Sequence, residues 1–173
     1  PNSLERLDCS CNQLISLPEL PNSLEYLYCY INQLTSLPKL PITLERLNCP
    51  YNQLISLPKL PETLKNLDCY MNQLTSLPEL PNSLERLDCS CNQLISLPKL
   101  SDTLETFECS HNNLPETCST ISKTSGRSVY YDKHSNTIFT GCFKGTIEEF
   151  YKKGYIKEKK DWVKTFYELI TKN

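Results

Sequence analysis

The chain has 173 residues with 18 basic and 20 acidic side chains, so its net charge of −2 gives no overall field drawing it toward nucleic acid. Twelve Pro, four Gly, ten Cys and no Ala argue against a helical bundle, and no apolar run approaches the ~20 residues that cross a bilayer, so membrane insertion is not expected. The opening Pro1-Asn2-Ser3 lacks the basic and apolar segments of a secretory signal. Because it starts without Met and on a repeat boundary, a fragment or processed form is expected.

A shift of 20 residues superposes residues 1–20, 21–40, 41–60, 61–80 and 81–100, with a shorter sixth copy from Ser101 to Leu114. The first and fifth copies differ only at Glu19 against Lys99, so one local structure must recur along the array. Of 28 Leu, 27 lie at or before Leu114. A second unit, 115–173, is therefore expected to follow the array of residues 1–114.

Each copy reads L-x-x-L-x-C-x-x-N-x-L, as at Leu4, Leu7, Cys9, Asn12 and Leu14, and continues through Leu17, Pro18 and Leu20. Around Leu7 and Cys9 the alternation has period two, which marks a short strand with Arg6, Asp8 and Ser10 on its other face. Twenty residues leave no room for a long crossover helix, so the strands must stack in parallel, one per coil, ~4.8 Å apart. Leu4, Leu7, Cys9, Leu14, Leu17 and Leu20 then begin ladders that fill a solenoid. Each buried Leu supplies roughly 1.5–3 kcal/mol, while ordering 20 residues costs ~1.5 kcal/mol apiece, so a coil is stable only with neighbours.

The column Asn12, Asn32, Asn52, Asn72, Asn92 and Asn112 falls where the chain turns after the strand, and an amide side chain can serve the backbone groups there as donor and acceptor. Prolines at 18, 38, 58, 78 and 98 and at 21, 41, 61 and 81 keep the return segment extended, near polyproline II. The residues before each Asn are Cys11, Ile31, Tyr51, Met71, Cys91 and His111. Being mostly apolar, they are expected to be partly buried.

The pattern resembles the leucine-rich repeat family, L-x-x-L-x-L-x-x-N/C-x-L. The 20-residue length and the L-P-x-L-P return are most similar to arrays in secreted bacterial effectors and in giant viruses of amoebae. The resemblance implies a solenoid with a parallel β-sheet on its concave face, an extended convex side, and recognition of a partner protein. It also implies an intracellular place of action, in the host cytoplasm for a virus protein or secreted effector. Related effectors often carry a ubiquitin-ligase domain after the array, for which residues 115–173 are too few.

Residues 115–173 are expected to form a small α+β cap. Arg127–Asp132 and Thr137–Phe143 flank His134-Ser135-Asn136 as a hairpin, and Thr146-Ile147-Glu148-Glu149 is a capping box opening a short helix. Trp162, Val163, Phe166, Tyr167 and Ile170 follow at helical spacing, an apolar stripe suited to packing on the last coil. Charge separates the units: 7 basic and 13 acidic residues in 1–114, 11 and 7 in 115–173. The eight Lys from Lys144 to Lys172 are interspersed with Glu148, Glu149, Glu158, Asp161 and Glu168, which reads as a solvated face with no nucleic-acid partner.

Six cysteines, Cys9, Cys29, Cys49, Cys69, Cys89 and Cys109, share one inward column and act as small apolar residues. Stacked neighbours run their Cβ vectors side by side, so free thiols and a reducing compartment are expected. Cys118 and Cys142 could pair. With no C-x-x-C and only His111 and His134 in the chain, no metal site is expected. Cys118 with either His offers residue types for thiol catalysis but nothing that fixes their geometry, and Lys144-Gly145-Thr146 inverts the order of a phosphate loop. No cofactor and no enzyme activity are expected.

The outward strand positions diverge among copies whose inward positions repeat. One column reads Arg6, Tyr26, Arg46, Asn66, Arg86, Thr106; the next Asp8, Tyr28, Asn48, Asp68, Asp88, Glu108; the third Ser10, Tyr30, Pro50, Tyr70, Ser90, Ser110. Tyr26, Tyr28 and Tyr30 leave a single coil, with Tyr70 two coils on, as amphipathic anchors for a partner. Asp68, Asp88 and Glu108 stack on successive strands, which opposes stability unless Arg86 or a partner's cations offset them. The candidate binding residues are thus Tyr26, Tyr28, Tyr30, Arg46, Asp68, Tyr70, Arg86, Asp88 and Glu108. The competing expectation is a structural protein that associates with itself through the edge of the first coil.

Overall fold

A computed structural model describes residues 3–100, 103–114, 130–132, 137–140, 143–146 and 149. The chain divides into two compact units, Pro1–Asn113 and Leu114–Asn173. In the first, each copy contributes one strand of three residues: β1 Arg6–Asp8, β2 Tyr26–Tyr28, β3 Arg46–Asn48, β4 Asn66–Asp68, β5 Arg86–Asp88 and β6 Thr106–Glu108. They form one parallel sheet in chain order. The register advances 20 residues at each step, Leu7 opposite Leu27, Leu47 opposite Leu67, Leu87 opposite Phe107. The expected solenoid is therefore present, coil upon coil.

Its core consists of the inward ladders. Leu24, Leu44, Leu64 and Leu84 are fully buried, as are Leu34, Leu54, Leu74 and Leu94, with Cys29, Cys49, Cys69 and Cys89 beside them. Leu4, Leu7, Cys9 and Leu14 of the first coil are only half-buried. The same residue types in the same local structure are dry in coils two to five, each of which lies between two neighbours.

The asparagine column joins the coils. Asn52 Nδ2 donates to the carbonyls of Cys29, Cys49 and Pro50 at 3.0, 3.1 and 3.2 Å, while its Oδ1 accepts from the N–H of Leu34 at 3.0 Å. Asn32, Asn72, Asn92 and Asn112 repeat the arrangement, each accepting from the Leu 18 positions before it. Two of the four bonds thus cross to the preceding coil, satisfying buried backbone groups that water does not reach. Among the described residues the Asn12 side-chain amide bonds only the carbonyls of Cys9 and Ser10 in its own coil.

A second ladder was not anticipated from the sequence. Ser23, Thr43, Thr63, Ser83 and Thr103 each donate a hydroxyl to the carbonyl of the Leu 19 positions earlier, at 2.7–2.9 Å. Any residue with a small hydroxyl serves there, which is why Ser and Thr interchange in the column without disturbing the stack.

The residues before each Asn depart from the expectation of partial burial. Cys11, Ile31, Tyr51, Met71, Cys91 and His111 all have positive φ, between 51° and 56°. The left-handed backbone swings five of these six side chains outward; only Cys91 is half-buried. Such a conformation costs of order 1–3 kcal/mol for a non-glycine residue, and no Gly occurs before Gly126. Stacking holds it in place: the N–H of Ile31 donates to Pro50 O at 3.0 Å, and Ile31 O accepts from Asn12 N at 3.1 Å.

In the second unit, β7 Tyr130–Asp132, β8 Thr137–Thr140 and β9 Phe143–Thr146 form an antiparallel sheet in chain order. The expected hairpin is β7–β8, with Tyr131 opposite Ile138. The second expected strand ends earlier, at Thr140, and Phe143 begins a third strand that pairs with it. The capping box forms both of its bonds, Glu149 N–H to Thr146 Oγ1 at 3.2 Å and Thr146 N–H to Glu149 Oε2 at 2.8 Å. The apolar stripe from Trp162 to Ile170, Cys118, Cys142 and His134 lie outside the described residues.

Candidate protein-binding face

The period-two alternation of each strand buries its middle residue and leaves the flanking two on the opposite face of the sheet. In β2 to β6 the middle residue is buried. On the outer face Arg6, Arg46 and Arg86 are exposed, while Tyr26, Asn66 and Thr106 between them are half-buried. In the adjacent column Asp8 is exposed, while Tyr28, Asn48, Asp68, Asp88 and Glu108 are half-buried. Arg46, Asn48, Asp68, Arg86, Asp88 and Glu108 line one open concavity of about 400 Å³. The structure thus brings most of the expected charged residues together on one surface.

The tyrosines are spread more widely than the charged residues. Tyr26 and Tyr28 belong to β2, whereas Tyr30 lies beyond its end; all three are half-buried. Arg6 stacks its guanidinium over the Tyr28 ring, 4.6 Å from its centre, a cation–π contact that orders both side chains. Tyr70 meets Tyr51 edge-to-face at 5.2 Å and 78°. Pro50, in the same column as Tyr30 and Tyr70, is buried and interrupts the aromatic surface between them.

The acidic column is not offset in the way expected. Among the described residues no ion pair joins Arg46 or Arg86 to Asp68 or Asp88; the pair formed is Lys65 to Glu45 at 3.1 Å. Guanidinium side chains on an open face extend toward water, where pairing yields little. Neutral donors serve the carboxylates instead. Asn48 Nδ2 donates to Asp68 Oδ2 at 3.2 Å, and the Ser90 N–H donates to Asp88 Oδ1 at 3.0 Å. Asp68 Oδ1 and Asn48 Oδ1 are buried without a hydrogen-bond partner.

Burial, with the Asp88 charge beside it, raises the Asp68 carboxyl to about 6, against a smaller opposing effect of the Tyr70 N–H. Asp8, on the first coil, behaves oppositely: the Ser10 hydroxyl beside it and the Ser10 N–H, which donates to Asp8 Oδ1 at 3.1 Å, hold its carboxyl below the usual range. Burial accounts for most of the contrast, since Asp68 is half-buried and Asp8 exposed, and register adds to it, because Asp68 pairs with Asp88 across the sheet whereas Asp8 lies opposite Tyr28.

The inward thiols offer no chemistry to this face. Burial pushes Cys29 up to about 12 and holds Cys49, Cys69 and Cys89 well above the ordinary thiol range, so they stay protonated and unreactive. All eight described cysteines are free thiols. No group of three or more His, Cys, Asp or Glu that could hold a metal occurs among the described residues. Nor, among them, is any helix long and apolar enough to cross a membrane.

The Leucine Rich Repeat family model matches residues 3–24. Among solved structures, YopM from Yersinia enterocolitica WA-314 is 45% identical over 67% of this chain and 26% of its own, with a TM-score of 0.66. The leucine-rich repeat domain of a Shigella effector is 39% identical over 64% of this chain and 51% of its own, with a TM-score of 0.63. This chain therefore spans about a quarter and a half of those two chains. A comparison with curated proteins finds no match. The 20-residue coils, the parallel sheet with one short strand per coil, the asparagine ladder and these matches together identify this as a leucine-rich repeat protein of the short-repeat type found in bacterial effectors.

Proposed function

We propose that this protein binds another protein through its concave sheet, with Tyr26, Tyr28, Tyr30 and Tyr70 as anchors and Arg46, Arg86, Asp68, Asp88 and Glu108 reading the partner's charge. One observation carries the reading: coils whose inward Leu, Cys and Asn are copied almost unchanged diverge at the positions flanking them on the outer face. The core needs the repetition. Nothing in the fold needs the divergence, and three tyrosines on one coil provide contact area that a three-residue polar strand does not require. A rigid extended surface suits a macromolecular partner better than an enclosed small molecule, so the protein is read as a binding scaffold without catalysis.

The place of action inferred is the cytoplasm of a host cell, in keeping with the effector relatives and with thiols that a reducing compartment leaves free. Affinity capture from host lysate tests the reading, with the Tyr26→Ser, Tyr28→Ser, Tyr30→Ser triple variant as control. The variant should keep the array's circular dichroism and lose at least one protein that the unaltered chain retains at matched loading. Identical capture by both would remove the concave face from the proposal.

A further inference from the structure

Taking the concave face as the binding surface, we infer that its occupant is an α-helix of the partner, lying along the solenoid axis and carrying opposite charges on its two edges. The argument starts from the spacing of the two charged columns. Arg6, Arg46 and Arg86 occur on every second strand, and Tyr26, Asn66 and Thr106 occupy the strands between. At ~4.8 Å per strand, the arginines recur every ~9.6 Å. The acidic column has a different period: Asp68, Asp88 and Glu108 sit on three successive strands, ~4.8 Å apart.

A partner must satisfy both periods at once. An extended strand presents one face every ~6.6 Å and matches neither. A polyproline segment repeats each of its faces every ~9.3 Å, which fits the arginines, but no face returns quickly enough to meet an acid on every coil. A helix does both. Residues one heptad apart on one edge are ~10.5 Å apart, close to the arginine spacing, while residues three or four apart on the other edge recur every ~4.5–6 Å, close to the acid spacing. Long side chains absorb the remaining mismatch. The two columns are two residues apart along each strand, ~6.6 Å, so a helix ~10–12 Å across covers both.

The arginine charge on this face is available for such a partner. Among the described residues neither Arg46 nor Arg86 is ion-paired with Asp68 or Asp88, and Arg6, an exposed residue, holds its guanidinium over the Tyr28 ring. The fitting helix carries Asp or Glu at heptad spacing toward the arginines and Lys or Arg at every third or fourth position toward the acids. At the end over coil two it offers an apolar side chain to Tyr26 and Tyr28.

The test uses three fluorescent peptides of about three heptads, titrated into the full chain and followed by anisotropy. One has Glu at heptad spacing on one edge and Lys on the other; the second has the same residues in shuffled order; the third is proline-rich with Glu at every third position. The first should bind, gain helical circular dichroism on binding, and bind about tenfold more weakly to the Arg46→Glu, Arg86→Glu variant, whose exposed changes leave the fold intact. A peptide with Lys in place of the heptad Glu should recover binding to that variant. Equal binding of the shuffled peptide, preference for the proline-rich one, or no binding of the first overturns the helix. If the helix fails while the tyrosine variant still loses its captured protein, the concave-face reading stands; if the first peptide binds the arginine and tyrosine variants as tightly as the native chain and the tyrosine variant also captures the same proteins, both readings fall.

Discussion

Replacing Asn52 with Ala isolates the bonds that join one coil to the next. In the native chain the Asn52 amide serves the carbonyls of Cys29, Cys49 and Pro50 and the N–H of Leu34. Leu34 is fully buried, so its N–H would be stranded at a cost of about 1–3 kcal/mol. The lost donations add about 0.5–1.5 kcal/mol each where no water replaces them. With two amide hydrogens shared among the three carbonyls, these give about 2–6 kcal/mol together, a large part of the 5–15 kcal/mol typical of a domain. Asn12→Ala is the same chemical change at the same repeat position. Asn12 is exposed, and its amide bonds only Cys9 O and Ser10 O, where water can substitute, so about 0.5–1 kcal/mol is expected. Urea unfolding followed by far-ultraviolet circular dichroism measures both. Equal costs at the two sites would refute the argument that the ladder stabilises by bridging coils.

Two further outcomes follow from the backbone and from the acidic column. Met71 sits at φ 53° with 42% of its surface exposed, so Met71→Asn, which tolerates the left-handed region, should be more stable than β-branched Met71→Val by about 1–2 kcal/mol; equal unfolding midpoints for the two variants would count against it. For Asp68 the folded carboxyl titrates near 6, above its ordinary 3.8. An acid whose pKa is raised by folding opposes the folded state when ionised, so its penalty grows as pH rises from about 4 to 6 and is complete above that. Asp68→Asn, which keeps an oxygen to accept from Asn48 Nδ2, should therefore raise the urea midpoint at pH 7.5 and change it little at pH 4. A gain as large at pH 4 as at pH 7.5 would show that the carboxylate charge is not responsible.

The repeat frame could be read from spacing because its physics is local and periodic. Leu7 and Cys9 alternate inward, and 20 residues close one coil, so the parallel sheet and the outward placement of Arg46, Asp68 and Arg86 followed directly. The β7–β8 hairpin and the Thr146–Glu149 bonds were legible for the same reason, since each depends on residues within a few positions of one another.

What the chain does across 18 to 23 positions had to come from the fold. Asn52 is recognisable as a partner for backbone groups, but whether it reaches back to Leu34 and Cys29 depends on how far each coil is offset from the one before. The Ser23 and Thr43 ladder depends on the same offset, and Ser and Thr at a turn carry no sign of it. The left-handed backbone at Ile31 was hidden because its usual marker, Gly, is missing, and apolar character there pointed to a burial that the turn does not allow. On the outer face of the sheet, the residue order set which charges are neighbours, while solvent and the direction of each side chain decided that Arg86 would leave Asp68 and Asp88 to neutral donors. Residue spacing therefore specified the coil; contacts between coils, made only once they are stacked, determined the strain it bears and the charge it leaves exposed.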